Sequence, residues 1–406
     1  MEIHLRQEIL DKIDELKPVD IIVGIQSKNV DTTIVHVLNV VSIGLVERFP
    51  HHNNLVLISN GFSSDRTAEM AKLFGLPPRI NKMVLEQVIG PGKGNGIRTV
   101  LEVAHQAQAK AVALIDGDLL SIKPDWVSLI IEPIMFGIAD LVVPYYVRDK
   151  YDGVITNNLA YPFTRALYNI YTRQPIGGEF GLSFPLIERL LEHPLFPQDF
   201  GIDIFLTTVA AAERFNLQEV VLGLKLHTST SSYIDPGAHL TLMFRQVVGT
   251  MFDLAIYYEK YWKEGTNTAH IPRSRRQGKY YGQMPVPVKI NLERNLELFK
   301  DGFKEYKEVF KNNLENKIFE SVESVVKKGE LMSSNLWTKI VYSLFNIYKN
   351  IEQKNKVEIL DALRVMWMGR FSSYVIETKD MIYDDAMEII EEQTRIFEKE
   401  KSNLFL

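Results

Sequence analysis

The chain has 406 residues, of which 46% are hydrophobic and 24% charged, as is typical of a folded protein with a sizeable core. Its formal net charge of -5 gives no general attraction to nucleic acid or to an anionic membrane surface. The absence of cysteine excludes disulfides, thiolate metal sites and cysteine nucleophiles.

The N-terminal segment, residues 1–20, mixes acidic, basic and apolar residues in a pattern that predicts an amphipathic helix rather than a signal peptide. The longest apolar runs, such as residues 111–115, are too short to cross a bilayer. We therefore expect a soluble cytoplasmic protein.

Short apolar runs alternate with helical patterns in the first half of the chain, which predicts an α/β fold with a mostly parallel sheet. The predicted strands are residues 20–25, 55–59, 82–88, 111–115 and 139–147. The pattern then becomes irregular up to about residue 228. From residue 290 onward, apolar residues recur with a period of 3.6, which predicts a helical C-terminal region.

A pair of aspartates follows the most apolar predicted strand. Asp116 and Asp118 lie two positions apart directly after residues 111–115. Ligands of open α/β sheets bind at the carboxyl ends of the strands, and two carboxylates there suit a hard divalent cation that bridges to a diphosphate. A solvated turn is the alternative interpretation, because isolated Asp-x-Asp tripeptides are common.

A glycine run surrounds Lys93 in the sequence GPGKGNG, residues 90–96. Closely spaced glycines allow a backbone to approach phosphate, and the amides of a following helix N-terminus favour an anion. The run is not a P-loop, because the residue after Lys93 is Gly94 rather than Ser or Thr. A purely structural turn stays open as the alternative.

Three further polar positions follow turns or strands. Glu179 follows a pair of glycines, Asp203 precedes an apolar helix, and His227 ends a predicted strand. N-capping is the alternative explanation for an aspartate in this position, and a structural role is the alternative for His227. A neutral imidazole could complete an Asp/His site of the kind that manganese or magnesium accepts.

These elements stand in the order found in a known family. The chain resembles the mannosylglycerate synthase and glucosylglycerate or glucosyl-3-phosphoglycerate synthase group of retaining GT-A glycosyltransferases. The matching stretches are residues 91–96 (PGKGNG), 116–119 (DGDL), 174–179 (QPIGGE), 200–203 (FGID) and 225–227 (KLH). Gly117 departs from the Ala or Ser that is usual between the two aspartates of this family.

The resemblance implies a nucleotide-diphospho-sugar transferase (GT-A) fold, a nucleotide-sugar donor and a divalent cation, Mn²⁺ or Mg²⁺. Asp118 and His227 would ligate the cation, with Asp116 nearer the ribose or a metal-bound water. Glu179 and Asp203 would surround the transferred sugar and the reacting centre. The implied donor-binding residues are Gln26, Asn60, Lys93, Asp116, Gly178 and Glu179, and the implied acceptor-binding residues are Arg148, Gly153 and Thr156.

The sequence pattern and the resemblance together predict the domain organisation. Residues 1–264 would form the GT-A domain, with a donor-binding half over about 18–125 and an acceptor-binding half over about 126–264. Residues 265–289, rich in Gly and Pro, would form a linker or lid loop, and residues 290–406 a helical region. We expect a homodimer, because isologous dimers are the commonest soluble oligomers.

The acceptor and the reaction class each leave an alternative open. D-Glycerate is favoured over 3-phosphoglycerate because the Gly-Gly-Arg segment associated with phosphoglycerate users is absent near residues 152–154, although Arg165 and Arg173 keep a phosphorylated acceptor open. The products would be α-glycosylglycerates, a class of compatible solute. A sugar nucleotidyltransferase is the alternative of another class, but it would carry a glycine-rich signature after the first strand, where only Gly24 stands.

Overall fold

The computed structural model describes residues 3–228, 238–263, 275–277, 282 and 284–405. The chain divides into two compact units, each built from separate segments. The first unit comprises residues 1–147, 171–231 and 270–284, and the second comprises residues 148–170, 232–269 and 285–406. Residues 148–170 and 232–269 group with the C-terminal residues in the second unit, and the boundaries expected at residues 264 and 290 stay a prediction.

The first unit contains one mixed sheet, which has eight strands among the described residues. The strands are β1 (Ile21–Ser27), β2 (Asn54–Asn60), β3 (Ile80–Glu86), β4 (Ala111–Asp116), β5 (Leu141–Val147), β6 (Phe180–Ser183), β7 (Leu217–Leu224) and β8 (Arg275–Gln277). Their order across the sheet is β3-β2-β1-β4-β6-β5-β7-β8. Only β6 runs antiparallel to its neighbours in this described sheet, so the predicted α/β fold with a mostly parallel sheet is confirmed.

Helices cover the sheet on both faces. The helices of the first unit are α1 (Gln7–Leu16), α2 (Ile34–Arg48), α3 (Thr67–Leu73), α4 (Lys93–Ala107), α5 (Pro124–Met135), α7 (Phe184–Glu192) and α8 (Ile202–Ala212). Ile21, Val23 and Ile25 of β1 point into a core that includes residues of α2 and α5. Gly24 points to the other face, where a Cβ would lie only 2.4 Å from the Val100 side chain of α4. The alternation typical of a strand thus buries both faces of β1.

Two strand predictions differ from the structure. The strand predicted over residues 222–227 is β7, but it spans Leu217–Leu224 and so ends before His227. The irregular region between residues 147 and 228 also supplies β6, which joins the same sheet, and β8 lies inside the predicted linker of residues 265–289. β6 is only four residues long, and β8 three, and both pair with distant strands. Such short strands lack the alternation over several residues on which prediction from sequence depends.

The second unit is helical among its described residues. Its helices are α6 (Tyr161–Tyr168), α9 (Ala238–Tyr257), α10 (Glu259–Lys263), α11 (Leu292–Glu305), α12 (Lys307–Asn313), α13 (Asn316–Lys328), α14 (Ser334–Asn350), α15 (Lys356–Thr378) and α16 (Tyr383–Glu400), with a π-helix at Thr156–Ala160 and 3-10 turns at Gln353–Asn355 and Lys401–Phe405. Phe163, Phe252 and Phe345 pack together with ring centroids 5.0–5.6 Å apart. This aromatic cluster links three segments that are distant in sequence. In the part of the chain described by the structure, none of the helices is long and apolar enough to cross a membrane.

Candidate active site

The predicted site residues collect where the strand order reverses. The chain adds β2 and β3 on one side of β1 and then places β4 on the other side. Gln26 and Asp116 are register partners at the ends of β1 and β4. Because ligands of open α/β sheets bind outside the carboxyl ends of the strands at such a switch point, the topology indicates a ligand site beside Asp116.

The turn between the two aspartates is fixed by the ends of β1 and α2. The Gly117 amide donates to the Gln26 carbonyl at 2.8 Å, and the Thr33 hydroxyl donates to the Gly117 carbonyl at 2.8 Å. A Cβ at position 117 would lie 2.8 Å from the Gln26 carbonyl oxygen. Gly117 therefore makes a close approach of the ends of β1 and β4 possible.

Asp118 and His227 face each other across a short backbone pairing. The Asp118 Oδ2 lies 3.4 Å from the His227 Nδ1, and both side chains are about one-fifth exposed. An antiparallel bridge joins Leu119 to His227, and the Thr228 amide donates to the Asp118 carbonyl at 3.2 Å. The backbone thus holds together a carboxylate and an imidazole that are distant in sequence.

This pair fits the divalent cation that the sequence predicts, but only as part of its coordination shell. Within the described residues, no group of three or more His, Asp and Glu side chains is arranged to hold a metal ion. Magnesium and manganese accept carboxylate and imidazole ligands, and magnesium usually keeps waters and substrate phosphates as well. Asp118 and His227 could therefore hold such an ion jointly with a bound diphosphate.

Beside this pair lies a cluster of five charged side chains, which we call the charge cluster. Its members are Lys93, Asp116, Glu179, Asp203 and Lys225. The Lys93 Nζ lies 3.0 Å from the Asp203 Oδ2 and 3.5 Å from the Asp116 Oδ1. The Lys225 Nζ lies 2.8 Å from the Glu179 Oε2 and 3.4 Å from the Asp116 Oδ2. The three carboxylates and two ammonium groups thus form a connected network that leaves one excess negative charge.

Lys225 and Tyr146 are the members of this region that the sequence analysis missed. The Tyr146 hydroxyl donates to the Glu179 carboxylate, and its ring centroid lies 5.1 Å from the Lys225 Nζ. In the sequence, Lys225 appears only as the first residue of the Lys-Leu-His match. A lysine between two leucines at the end of a buried strand is the one sequence signal that could have identified it.

The members of the charge cluster shift one another's pKa. Burial lowers the pKa of Lys93, but the negative charges of Asp116, Asp203 and Glu179 outweigh this effect and raise the pKa overall. Burial raises the pKa of Glu179 and of Asp203, and the neighbouring lysines offset this only in part. Lys93 is therefore charged at neutral pH, and the two buried carboxylates depend on the lysines to remain ionised.

The glycine run has a packing role in the structure. A Cβ on Gly92 would lie 2.2 Å from the Gln198 carbonyl oxygen, and a Cβ on Gly94 would lie 2.0 Å from the Pro197 carbonyl oxygen. The Asn95 amide, in the first turn of α4, donates to the Gln198 carbonyl at 3.1 Å. The backbone of residues 197–198 thus occupies the place expected for a phosphate at this helix N-terminus, and Lys93 contributes to the site through its side chain.

The predicted donor-binding residues on β1 and β2 have different environments. The Asn60 side chain donates to Glu86 at 2.7 Å and accepts from the Ser63 hydroxyl at 2.6 Å, so it fixes the loop after β2. Gln26 is 8% exposed, and neither amide atom of its side chain has a hydrogen-bond partner among the described residues. An unpaired buried amide costs about 1–3 kcal/mol per polar group, which marks Gln26 as a residue that gains from a bound ligand.

The three predicted acceptor residues lie together in the second unit. A Cβ on Gly153, whose φ is +68°, would lie 3.3 Å from the Arg148 Nη1 and 3.8 Å from the Thr156 Oγ1. Thr156 is buried at the start of the π-helix. The positive φ and the nearby guanidinium both explain why glycine occupies position 153.

Arg165, a candidate for binding the phosphate of a phosphorylated acceptor, forms ion pairs with two glutamates instead. Its guanidinium lies 2.6 Å from a Glu391 carboxylate oxygen and 2.9 Å from a Glu398 carboxylate oxygen, both on α16. Two carboxylates neutralise its charge, and this arginine therefore ties α6 to α16 within the second unit. Arg173 is 9% exposed, and its amide donates to Glu219 at 2.5 Å.

Comparison with known proteins adds to this geometry. Residues 78–247 match the family model described as the glycosyltransferase domain of mannosylglycerate synthase. A glucosyl-3-phosphoglycerate synthase from Petrotoga mobilis is 24% identical over 241 residues, covering 54% of this chain and 69% of the relative. Over these residues the chain is similar to this group of glycosyltransferases.

Solved structures of similar proteins include glucosyl-3-phosphoglycerate synthase from Mycobacterium tuberculosis in complex with Mn²⁺, uridine-diphosphate-glucose and phosphoglyceric acid. It is 24% identical, covers 60% of this chain and 83% of its own, and has a TM-score of 0.46. A complex of the same enzyme with Mg²⁺ and uridine-diphosphate has the same identity and coverage and a TM-score of 0.47.

The family match covers less than half of the chain, and together with the Petrotoga mobilis relative it supports the class of the enzyme. The protein is a glycosyltransferase with a GT-A fold and a helical C-terminal extension. The matched residues include Lys93, both aspartates of the β4 turn, Glu179, Asp203 and His227. The sugar nucleotidyltransferase alternative is not favoured, because the matched family and the similar proteins are glycosyltransferases.

Proposed function

We propose that the protein transfers glucose or mannose from a nucleoside-diphosphate sugar to D-glycerate and forms an α-glycosylglycerate. The single observation that carries this proposal is the position of the Asp118–His227 pair and the charge cluster at the switch point of the sheet. A diphosphate needs its charge neutralised to leave, and a divalent cation held by the Asp118–His227 pair, with the Lys93 ammonium group nearby, suits that task. The matched mannosylglycerate synthase family supports the choice of substrates.

The cofactor we propose is Mn²⁺ or Mg²⁺, held by Asp118 and His227. When bound, such an ion supplies Lewis-acid stabilisation of the departing diphosphate. Asp116 would lie nearer the ribose or a metal-bound water, and Gln26 and Asn60 would contact the nucleoside. Lys93 lies between Asp116 and Asp203, and its ammonium group would contact a donor phosphate.

We propose transfer with retention at the anomeric carbon, through attack from the leaving-group side. Glu179 and Asp203 are the carboxylates assigned to the transferred sugar, and both are already paired with lysines. A lysine-paired carboxylate is a weak nucleophile, so these groups would hold sugar hydroxyls while Gly178 leaves room beside them. The bond from the anomeric carbon to the diphosphate oxygen breaks, a bond to the acceptor hydroxyl oxygen forms, and the hydroxyl proton passes to the departing diphosphate.

The acceptor assignment rests on the second unit. Arg148, with Gly153 and Thr156 beside it, is assigned to the carboxylate of the acceptor, because a guanidinium binds a carboxylate through two hydrogen bonds. Engagement of Arg165 by two glutamates favours glycerate over a phosphorylated acceptor. The same transfer to 3-phosphoglycerate is the second candidate, because the Petrotoga mobilis relative is named a glucosyl-3-phosphoglycerate synthase.

One assay tests the proposal. The purified protein is incubated with a panel of glucose and mannose nucleotides, with glycerate or 3-phosphoglycerate, and with or without manganese. We expect a manganese-dependent glycosylated acceptor and free nucleoside diphosphate. Pyrophosphate as the product would instead identify a nucleotidyltransferase, and no transfer from any nucleotide sugar to either acceptor would refute the proposal.

A further inference from the structure

Lys225 lies directly after β7 and reaches into the sheet's ligand edge. Its Nζ lies within hydrogen-bond distance of both Glu179 carboxylate oxygens, at 3.0 and 2.8 Å, and of the Gly177 carbonyl, at 3.1 Å. The side chain is 9% exposed. A lysine ammonium loses much hydration when it is buried this far, so it must gain from its partners at this position.

The partner that Lys225 holds is fully buried. The Glu179 side chain has no exposed surface, and its other donor is the Tyr146 hydroxyl. Tyr146 is itself fixed, because its amide and carbonyl both hydrogen-bond the Gln174 side chain, at 3.1 and 2.8 Å. Glu179 is therefore clamped between a fixed phenol and a buried ammonium group.

The backbone at Gly178 makes room for this clamp. Gly178 has a φ of +98°, and a Cβ there would lie 2.7 Å from both the Asp116 Oδ2 and the Lys225 Nζ. Any other residue at this position would push Lys225 away from Glu179 or from Asp116. The glycine thus serves the placement of a charged side chain in addition to the turn itself.

From these contacts we propose that Lys225 is a positioning residue for the transferred sugar, which acts by locking the buried Glu179 carboxylate in the orientation that receives the sugar hydroxyls. The Tyr146 hydroxyl is the second donor of the same clamp. This inference rests on the proposed function, since it assigns Glu179 to the sugar of the nucleotide-sugar donor. Preorganised groups of this kind act through the precision with which they hold the substrate.

The competing role for Lys225 is direct contact with the donor diphosphate. The two roles differ in which ligand should bind more weakly when the lysine is removed. A sugar-positioning lysine affects the nucleotide sugar and leaves the nucleoside diphosphate unaffected, whereas a phosphate-binding lysine affects both ligands alike. Affinities for a nucleotide sugar and for the matching nucleoside diphosphate therefore separate the two roles.

The test uses the full-length variants Lys225→Met and Lys225→Arg, with Lys82→Met as the matched control. Lys82 is a partly buried lysine whose ammonium group donates to the backbone carbonyls of Ala71, Lys72 and Phe74 at the end of α3, away from the charge cluster. Calorimetry gives both affinities in the presence of manganese, and steady-state kinetics gives kcat and KM for donor and acceptor.

For Lys225→Met we expect the nucleotide-sugar affinity and kcat/KM to fall by about 100-fold, since the sugar hydroxyls would lose hydrogen bonds to an ionised, fixed carboxylate. The nucleoside diphosphate affinity should change by less than about threefold. Lys225→Arg keeps the charge, and its nucleotide-sugar affinity and kcat/KM should be at least about tenfold higher than those of Lys225→Met. Lys82→Met should keep wild-type affinities and turnover even if its melting temperature falls.

An equal loss of both affinities, or unchanged nucleotide-sugar affinity in Lys225→Met, would overturn the proposal. If Lys225→Met does not fold, Glu179→Gln and Lys225→Arg are combined, and additive effects on kcat/KM would overturn it, because members of one clamp must couple. If the wild-type protein binds a nucleotide sugar but transfers nothing, the proposed function is refuted, whereas the role proposed for Lys225 is not. The difference between the two affinities would still decide the role of Lys225.

Discussion

Replacing Lys93 by methionine should destabilise the protein in a way that depends on pH. The Lys93 side chain is 14% exposed, and its ammonium group pairs with Asp203 at 3.0 Å and with Asp116 at 3.5 Å. Removing one partner of a buried ion pair typically costs about 3–5 kcal/mol. Asp116 keeps Lys225 as a second partner, and the cluster retains some solvent access, so we expect a loss of about 2–3 kcal/mol at pH 8.

The sign of the pH dependence follows from the carboxylate that Lys93 leaves behind. Burial already raises the pKa of Asp203 and Lys93 opposes it, so the Lys93→Met variant raises this pKa further. A carboxyl group whose folded pKa exceeds its unfolded value binds more protons in the folded state, and its folded form loses stability as the pH rises through that window. The free energy of unfolding that the variant loses relative to the wild type should therefore be smaller at pH 5 than at pH 8.

Urea denaturation of the wild type and of Lys93→Met at both pH values measures this effect. Lys110→Met is the matched control, because Lys110 also pairs with an aspartate at 2.8 Å but is 68% exposed. An exposed pair of this kind contributes at most about 1 kcal/mol, with little change between the two pH values. A deficit in Lys93→Met no larger than that of the control, or one equal at pH 5 and pH 8, would refute the reasoning.

Three further predictions concern the metal pair, the acceptor and a buried histidine. Asp118→Ala and His227→Ala should each abolish manganese-dependent turnover while the urea midpoint stays near that of the wild type; full activity in either variant removes that residue from the metal site. Arg148→Ala should raise the acceptor KM by about tenfold or more, from the loss of a charged hydrogen bond, and leave the donor KM nearly unchanged; equal increases in both would contradict the assignment. Burial, with the nearby Arg189, lowers the pKa of His193 to about 4, so protonation should cost the folded state at most about 3 kcal/mol as the pH falls from about 6.5 to 4. Urea midpoints between pH 7 and pH 4 should fall less steeply in His193→Gln, and parallel curves would show that this histidine does not contribute.

The site residues that could be predicted from the sequence are those that lie at the ends of strands. Asp116 and Asp118 follow an apolar run that is unmistakably a strand, and parallel strands bring their carboxyl ends to one edge. His227 pairs with the residue after Asp118 through a single backbone bridge, so its approach depends on a contact between residues 108 positions apart. The residue types indicate an Asp/His metal site, and the family resemblance pairs His227 with Asp118.

The charge cluster could not have been assembled from the sequence. Lys225 and Glu179 are 46 positions apart, and Lys93 and Asp203 are 110 apart. Each residue alone is an ordinary surface type, and only the sheet order brings the four together. The packing role of the glycine run could not be predicted either. The residue it packs against, Gln198, is distant in sequence, and nothing in residues 90–96 indicates that contact.

The two-unit organisation was also beyond the reach of local patterns. The segments 148–170 and 232–269 look like continuations of the α/β region, yet they group with the C-terminal helices. Phe163 and Phe252 pack against Phe345 of α14, and Arg165 pairs with Glu391 and Glu398 of α16. These long-range contacts are apolar packing and ion pairs between segments that are distant in sequence. The periodicity of apolar residues indicates helices but does not indicate which helices pack together.

The most direct test of the account is to locate manganese in a crystal of the protein grown with a nucleoside diphosphate. The account predicts an anomalous scattering peak within coordination distance of both the Asp118 carboxylate and the His227 imidazole, bridged to the diphosphate. A peak at any other place, or a bound nucleotide without a manganese peak between these two side chains, would contradict it.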